Sequence, residues 1–428
     1  MGAFPICLFL AILAASGGGF AQTQAPSDDP QRRAQIAEDL GKQKDVRNLP
    51  ALQALLKDPE RAVRAEATAA VVAIGTQHGL APLIEAVRDP DPSIQILAVD
   101  GLVNFYYPGY VQSGWTSALK KVGSQIKSRF SQPDPAVIDP YVTVLPEVIL
   151  AIRRVTVGGT SLEARALAAR ALGILRARSA TTQLLEALRT KDSRVMLESL
   201  RALEKIGDPA AGPGIAPFLR DLYEPVQIAA IEATGQLQNR EANPVLRDLL
   251  PASRKAAVRR AALIALAKMP EPPSREMFLS YLNDRDKYLR AAAAEGLGRM
   301  GEPEHRPALE RAFAAEKSES PRLSMAFALV LLGDTTYLSY LVDALNSTFH
   351  RGEARPFLTE LARRPSIISQ LSQSVRGGSN EQKKNLAQVI ALSGGADSLP
   401  LLQELSNDPN PEVAQEAMRA AKSLKARL

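Results

Sequence analysis

A pattern of roughly 31 residues recurs from Pro50 to the C-terminus, and it constrains the fold more than any other feature of the chain. Its clearest copy is Pro50–Gly75, PALQALLKDPERAVRAEATAAVVAIG. Leu52, Leu55 and Leu56 stand at i, i+3 and i+4, one apolar stripe of a helix. Asp58-Pro59 stops that helix, because the residue before a proline is biased away from the α region. The same Asp58 is expected to cap the next helix, with Pro59 at its first position. Val63, Ala67, Ala70, Val71 and Ile74 supply a second stripe, and Gly75 ends the hairpin. Alone, such a pair cannot bury both of its faces, so it must stack on copies of itself.

Copies follow in order. Their second helices are expected to end near Gly75, Phe105, Leu175, Gly207, Leu237, Met269, Gly301, Gly333, Arg363, Gly394 and Leu424. Composition agrees with stacked helices: only 5% of the residues are aromatic, and small and aliphatic side chains are available for close packing. A single core in 428 residues would be unusually large, whereas a repeat array has no such limit.

The units resemble HEAT repeats, in the variant of bacterial HEAT-like and phycobilisome-lyase-type repeat proteins. The resemblance is carried by prolines of the first helices (Pro50, Pro82, Pro146, Pro244, Pro307, Pro400) and by turn aspartates (Asp58, Asp91, Asp192, Asp284, Asp408). With them go the steps Val63-Arg64, Val258-Arg259 and Leu289-Arg290 and a trailing Ala-x-x-Ala-(Leu/Ile)-Gly. The resemblance implies an all-α, right-handed solenoid of about ten to eleven hairpins over residues 49–428, with one insertion. It also implies that Asp58, Arg64, Asp284 and Arg290 form a structural ladder between neighbouring units. The pattern blurs in the units ending at Leu237 and Arg363.

The insertion spans about 106–143. It opens on Phe105, Tyr106, Tyr107, Tyr110 and Trp115, then continues as a basic amphipathic segment with Lys120 and Lys121. Insertions in solenoids often map to the binding face, and Tyr and Trp are enriched at interaction hot spots. Tyr106, Tyr107, Tyr110, Trp115, Lys120 and Lys121 are therefore candidate partner-binding residues. The alternative is that they only close the join between hairpins.

Ile6–Ala15 is a short apolar run followed by Ser16-Gly17-Gly18-Gly19-Phe20-Ala21, the pattern of a secretory signal cleaved after Ala21. Export is expected for the mature chain, with an uncleaved N-terminal anchor as the alternative. Residues 22–48 then read as a disordered leader followed by a capping helix from Gln31 to Gly41. The one cysteine, Cys7, lies inside the apolar run. A mature chain would have no thiol for catalysis, disulfides or metal ligation.

The three histidines, His78, His305 and His350, show no metal-binding spacing and read as loop or surface residues. The carboxylates read as turn and solvent groups, explained by caps and the ladder. No phosphate-cradling glycine loop or nucleophile elbow occurs. Neither a catalytic residue, a metal nor a cofactor is therefore expected. The basic residues are dispersed, with a net charge of +6, and do not form the stripe of a nucleic-acid binder. Arg254, Lys255, Arg259 and Arg260 are the strongest case for one. These observations favour a monomeric, non-enzymatic scaffold for a protein partner of unknown identity, with no transmembrane span once the leader is removed. A lyase-like HEAT protein that assists modification of a partner is the alternative, followed by a HEAT-type nucleic-acid binder.

Overall fold

The computed structural model describes residues 28–111, 135–139 and 141–428. The signal-like segment, residues 22–27, Trp115, Lys120 and Lys121 lie outside them. Among the described residues there is no strand, and eleven helical hairpins follow one another as a solenoid. A helix at Pro30–Lys42 precedes them. Asp29 caps it, and Ala37 and Gly41 are buried against the first hairpin.

Each hairpin has a short first helix and a longer second one. Most first helices are entered through a 3-10 turn, as at Val46–Asn48 before Leu49–Leu55 and at Gln77–Gly79 before Leu80–Ala86. The second helices run about four turns, as in Arg61–Ile74, Ser193–Ile206 and Lys287–Met300. All three end on a glycine in the left-handed region: Gly75, Gly207 and Gly301. At the corresponding place Arg176 and Gln238 take the same positive φ despite carrying a Cβ.

The hairpins stack most tightly along the second helices, which form the inner face. Small residues allow this. Gly41, Gly173, Gly235 and Gly298 face Ala70, Ala202, Ala265 and Ala328 of the next second helix. A Cβ on any of these glycines would lie 2.6–2.9 Å from the alanine Cα. Backbone therefore packs on backbone, and the apolar core beneath the contact line falls into two main clusters that meet at the second helix of the eighth hairpin, Glu319–Leu331.

The turn aspartates do not all do the same work. Asp58 does not cap the following helix, which starts at Arg61 with Glu60 at the cap position and no side-chain cap. The Asp58 carboxylate instead accepts from the Glu60 backbone N–H at 2.9 Å, tightening the turn. Asp89, Asp284 and Asp408 accept in the same way from Asp91, Asp286 and Asn410. Asp91, Asp192, Asp286 and Asn410 are the actual caps, each accepting from backbone N–H groups of the next turn. The two roles sit two residues apart because an N-cap needs an extended backbone immediately before the helix.

Candidate interaction surface

Basic side chains join one hairpin to the next. Arg33 donates through Nε and Nη2 to Asp58 at 2.7 and 3.0 Å. Arg64 reaches Asp89 at 2.7 Å, while its Nη1 holds the carbonyls of Asp58 and Pro59 at 3.0 Å. Arg290 repeats this arrangement with Glu316 at 2.6 and 2.9 Å and the Asp284 carbonyl at 2.8 Å. Lys383 does so more simply with Asp408 at 2.8 Å. Each cation thus ties its own turn to the turn of the following hairpin. The Arg33 guanidinium holds the Asp58 carboxyl below the usual carboxylate range, and Arg290 does the same to Glu316. The Asp284 carboxylate holds its own turn, and the ion pair into that turn comes from Arg260 to Asp286, at 2.6 Å.

The insertion is anchored at both ends. The Leu145 backbone N–H donates to Tyr106 Oη at 3.2 Å, and the Tyr106 ring meets Phe105 edge-on at 5.0 Å. Tyr106 and Tyr110 both pack on the main core. Tyr107, by contrast, is exposed. The returning segment is held by Ile138 N–H donating to Ile174 O at 3.0 Å and by Lys205 Nζ donating to Ala136 O at 2.9 Å. Lys422, on the last helix Pro411–Arg427, places its Nζ 4.8 Å from the Tyr141 ring centroid. The last hairpin therefore meets the return of the insertion.

Between these two features runs the inner face. Arg170, Arg201, Glu232 and Glu295 recur on it at the repeat spacing, each near the middle of a second helix. Arg170 makes a two-pronged pair with Glu198, which also accepts from Arg201 at 2.9 Å. Arg299 bridges Glu295 at 3.0 Å and Glu360 at 2.9 Å, its guanidinium passing 4.9 Å from the centre of the Phe327 ring. Glu204 and Glu232 make no hydrogen bond or ion pair among the described residues. Glu204 is half-buried, which pushes its carboxyl up against the opposing charges of Lys268, Lys205 and Arg201, whereas Glu232 is exposed. Nearer the N-terminus, burial pushes Glu66 up to about 7, and its Oε2 has no partner.

These inner carboxylates correct the reading of the acidic residues as turn and solvent groups. Their signal in the sequence was the triplet Glu198, Arg201, Glu204, three apart on one helix face, with a charged residue returning one period later. His305 does lie in an inter-helix turn, Pro303–His305. It is 4% exposed and bonded through Nε2 to Glu302 at 2.7 Å, not a surface residue. Glu302, Glu304 and His305 bring ligand atoms within 4.8 Å of one another, but Glu302 is already ion-paired with Arg275. Of the basic group weighed for nucleic acid, Arg260 is committed to Asp286, and Lys255 lies 3.6 Å from Glu224.

Residues 21–108, 155–224, 212–280 and 275–355 match the sequence profile of HEAT repeats, which is more than half of the chain. The chain belongs to the HEAT-repeat family. Within the HEAT proteins it is 31% identical over 201 residues to the bilin biosynthesis protein PecE of Mastigocladus laminosus, covering 47% of this chain and 70% of PecE. Among solved HEAT-type structures, the CpcE–CpcF complex of phycocyanin lyase from Nostoc sp. PCC7120 matches at 19% identity and a TM-score of 0.31. That match covers 74% of this chain and 92% of the other. Yeast importin-β (Kap95p) matches at 14% identity and a TM-score of 0.45, covering 93% and 66% of the two chains. No helix among the described residues is long and apolar enough to cross a membrane.

Proposed function

We propose that this HEAT protein is a non-enzymatic scaffold that holds a protein partner against its inner face. The observation that carries this reading is the pair Glu204 and Glu232. Glu204 is half-buried and Glu232 exposed, on successive second helices of one face, and neither is bonded to a cation among the described residues. Carboxylates that no side chain of their own protein bonds are free to meet complementary charge on a partner. A partner presenting Lys or Arg side chains would pair with them directly. The exposed Tyr107, together with Trp115, Lys120 and Lys121 of the insertion, would extend the contact beyond the inner face.

The test is a photo-crosslinking amino acid at position 232 in the full chain, with one on the outer surface as control. Specific capture of one protein from position 232, abolished by the charge reversal Glu204→Lys, supports the reading. Equal capture from both positions overturns it. We further propose that residues 1–21 direct export; a reporter fused to residues 1–25 that stays in the cytoplasm would refute this.

A second reading is favoured by the 31% identity to PecE across most of that protein. Here the same scaffold assists attachment or processing of a bilin on its partner. Titrating the chain with a free bilin separates the two: a shifted visible absorption band supports this reading, and an unchanged spectrum excludes it.

A further inference from the structure

A pocket of about 280 Å³ opens between the first helices of the second and third hairpins, Leu80–Ala86 and Pro146–Gly158, the two hairpins that the insertion separates in sequence. Its floor is apolar, built from Ile84, Val87, Ala151 and Val155. Three of the polar side chains around it can donate. Arg88 and Arg154 stand on opposite sides of the pocket, both exposed, and neither has a carboxylate partner among the described residues. Nearby acids are engaged elsewhere: Glu85 pairs with Lys57, and Asp89 with Arg64.

Gln95 is the third donor. It is 5% exposed, and its Oε1 accepts from both the backbone N–H and the hydroxyl of Thr160, each at 3.0 Å. A backbone N–H can only donate, so the amide orientation is determined and the Nε2 amino group is the end left for a ligand. Two guanidinium groups and one amide N–H₂ over an apolar floor are complementary to a carboxylate attached to an apolar body. The volume decides what carries it. Pockets that engulf a small molecule run from about 300 to 1,000 Å³, so this one is suited to one or two side chains of a chain lying across it.

We propose that this pocket receives a short acidic and apolar segment of the partner protein, an aliphatic side chain on Val87, Ala151 and Val155 with an adjacent carboxylate between Arg88 and Arg154. The assignment rests on the scaffold reading and gives the partner a second point of attachment, on the outer side of the solenoid. It is independent of the inner face, so the two can be tested apart.

The experiment uses the full chain and three probes followed by NMR: a capped Glu-Leu-Glu peptide, its Gln-Leu-Gln counterpart, and 4-methylpentanoate. The expected result is binding of the acidic peptide that weakens about tenfold in Arg88→Gln and again in Arg154→Gln, as loss of a charge-assisted contact predicts. Gln95→Leu should weaken it as well, whereas the uncharged peptide should not bind. Both arginines are exposed, so their replacement leaves the fold intact, and an unchanged far-ultraviolet spectrum checks this. Equal affinity of the parent and Arg88→Gln/Arg154→Gln chains overturns the proposal. Tighter binding of 4-methylpentanoate than of the peptide also overturns it, because the ligand would then be a free carboxylate. Crosslinking from position 232 that persists when the pocket is disabled would isolate the failure to the pocket. Its loss in the parent chain would instead remove the scaffold reading beneath it.

Discussion

Arg170 donates from Nε and Nη2 to the two carboxylate oxygens of Glu198, at 2.8 and 2.9 Å, with side chains 4% and 3% exposed. The pair links second helices of adjacent hairpins across the inner face, where neither charge can be solvated. Removing Glu198 takes the two-pronged partner from the buried Arg170 guanidinium, and breaking a buried pair costs about 3–5 kcal/mol, more than replacing both members. Glu198→Ala should therefore lower stability by about that much in urea unfolding. The double replacement Arg170→Met/Glu198→Leu should recover most of the loss. A double variant as unstable as the single one would contradict this account.

Gly298 has room for nothing larger than hydrogen, because an added Cβ would meet Ala328 Cα at 2.6 Å. The obstruction is backbone, not the end of a flexible side chain, so the two helices must separate. Gly298→Val should cost about 3 kcal/mol or more, the upper end of overpacking penalties. Gly352 provides the comparison, since a Cβ added there would meet nothing within 4 Å. Thermal unfolding of Gly298→Val and Gly352→Ala should differ by many degrees.

Arg176 sits at φ 48°, a region that disfavours any residue with a Cβ. Glycine holds the equivalent place at Gly75, Gly207 and Gly301. Arg176→Gly should raise stability by about 0.5–1 kcal/mol, the strain relieved less the extra entropy of the unfolded chain. The expected readout is a higher urea midpoint at unchanged slope.

Glu66 gives the chain a pH dependence. Burial raises its folded-state pKa to about 7, above the ordinary value of 4.5. Between those values the unfolded chain is ionised while the folded chain still holds the proton, so stability falls as pH rises from about 4.5 to about 7 and then levels off. Because the side chain is only half enclosed, solvent screening reduces the effect to on the order of 1 kcal/mol. Glu66→Gln should flatten this segment of the stability profile and be the more stable protein at pH 8. An unchanged slope would mean that Glu66 is ionised throughout.

The hairpins were legible because each is specified locally, by apolar stripes, a proline near the start of the first helix and a glycine after the second. The turns were legible only in part. DPE at Asp58 and DPDP at Asp89 look alike, yet the cap falls two residues beyond the first aspartate, and only in the second case is it another aspartate. The inner carboxylates were harder still. Glu204 on an isolated helix is a solvated residue; packing between neighbouring second helices half-buries it. Pocket residues Arg88, Gln95 and Arg154 come from hairpins that become neighbours only after the insertion is looped out. The meeting of Lys422 with Tyr141 depends on the accumulated rotation of every hairpin between them, which no local pattern encodes.

That meeting has a consequence for how the array can evolve. In an open solenoid, hairpins can be gained or lost with little effect beyond length, since each touches only its neighbours. Here one contact joins distant units, Lys422 Nζ lying 4.8 Å from the Tyr141 ring centroid, and a cation–π contact near the surface is worth about 0.5–1 kcal/mol. Adding or removing one hairpin would carry the last helix away from Tyr141 and forfeit that contact.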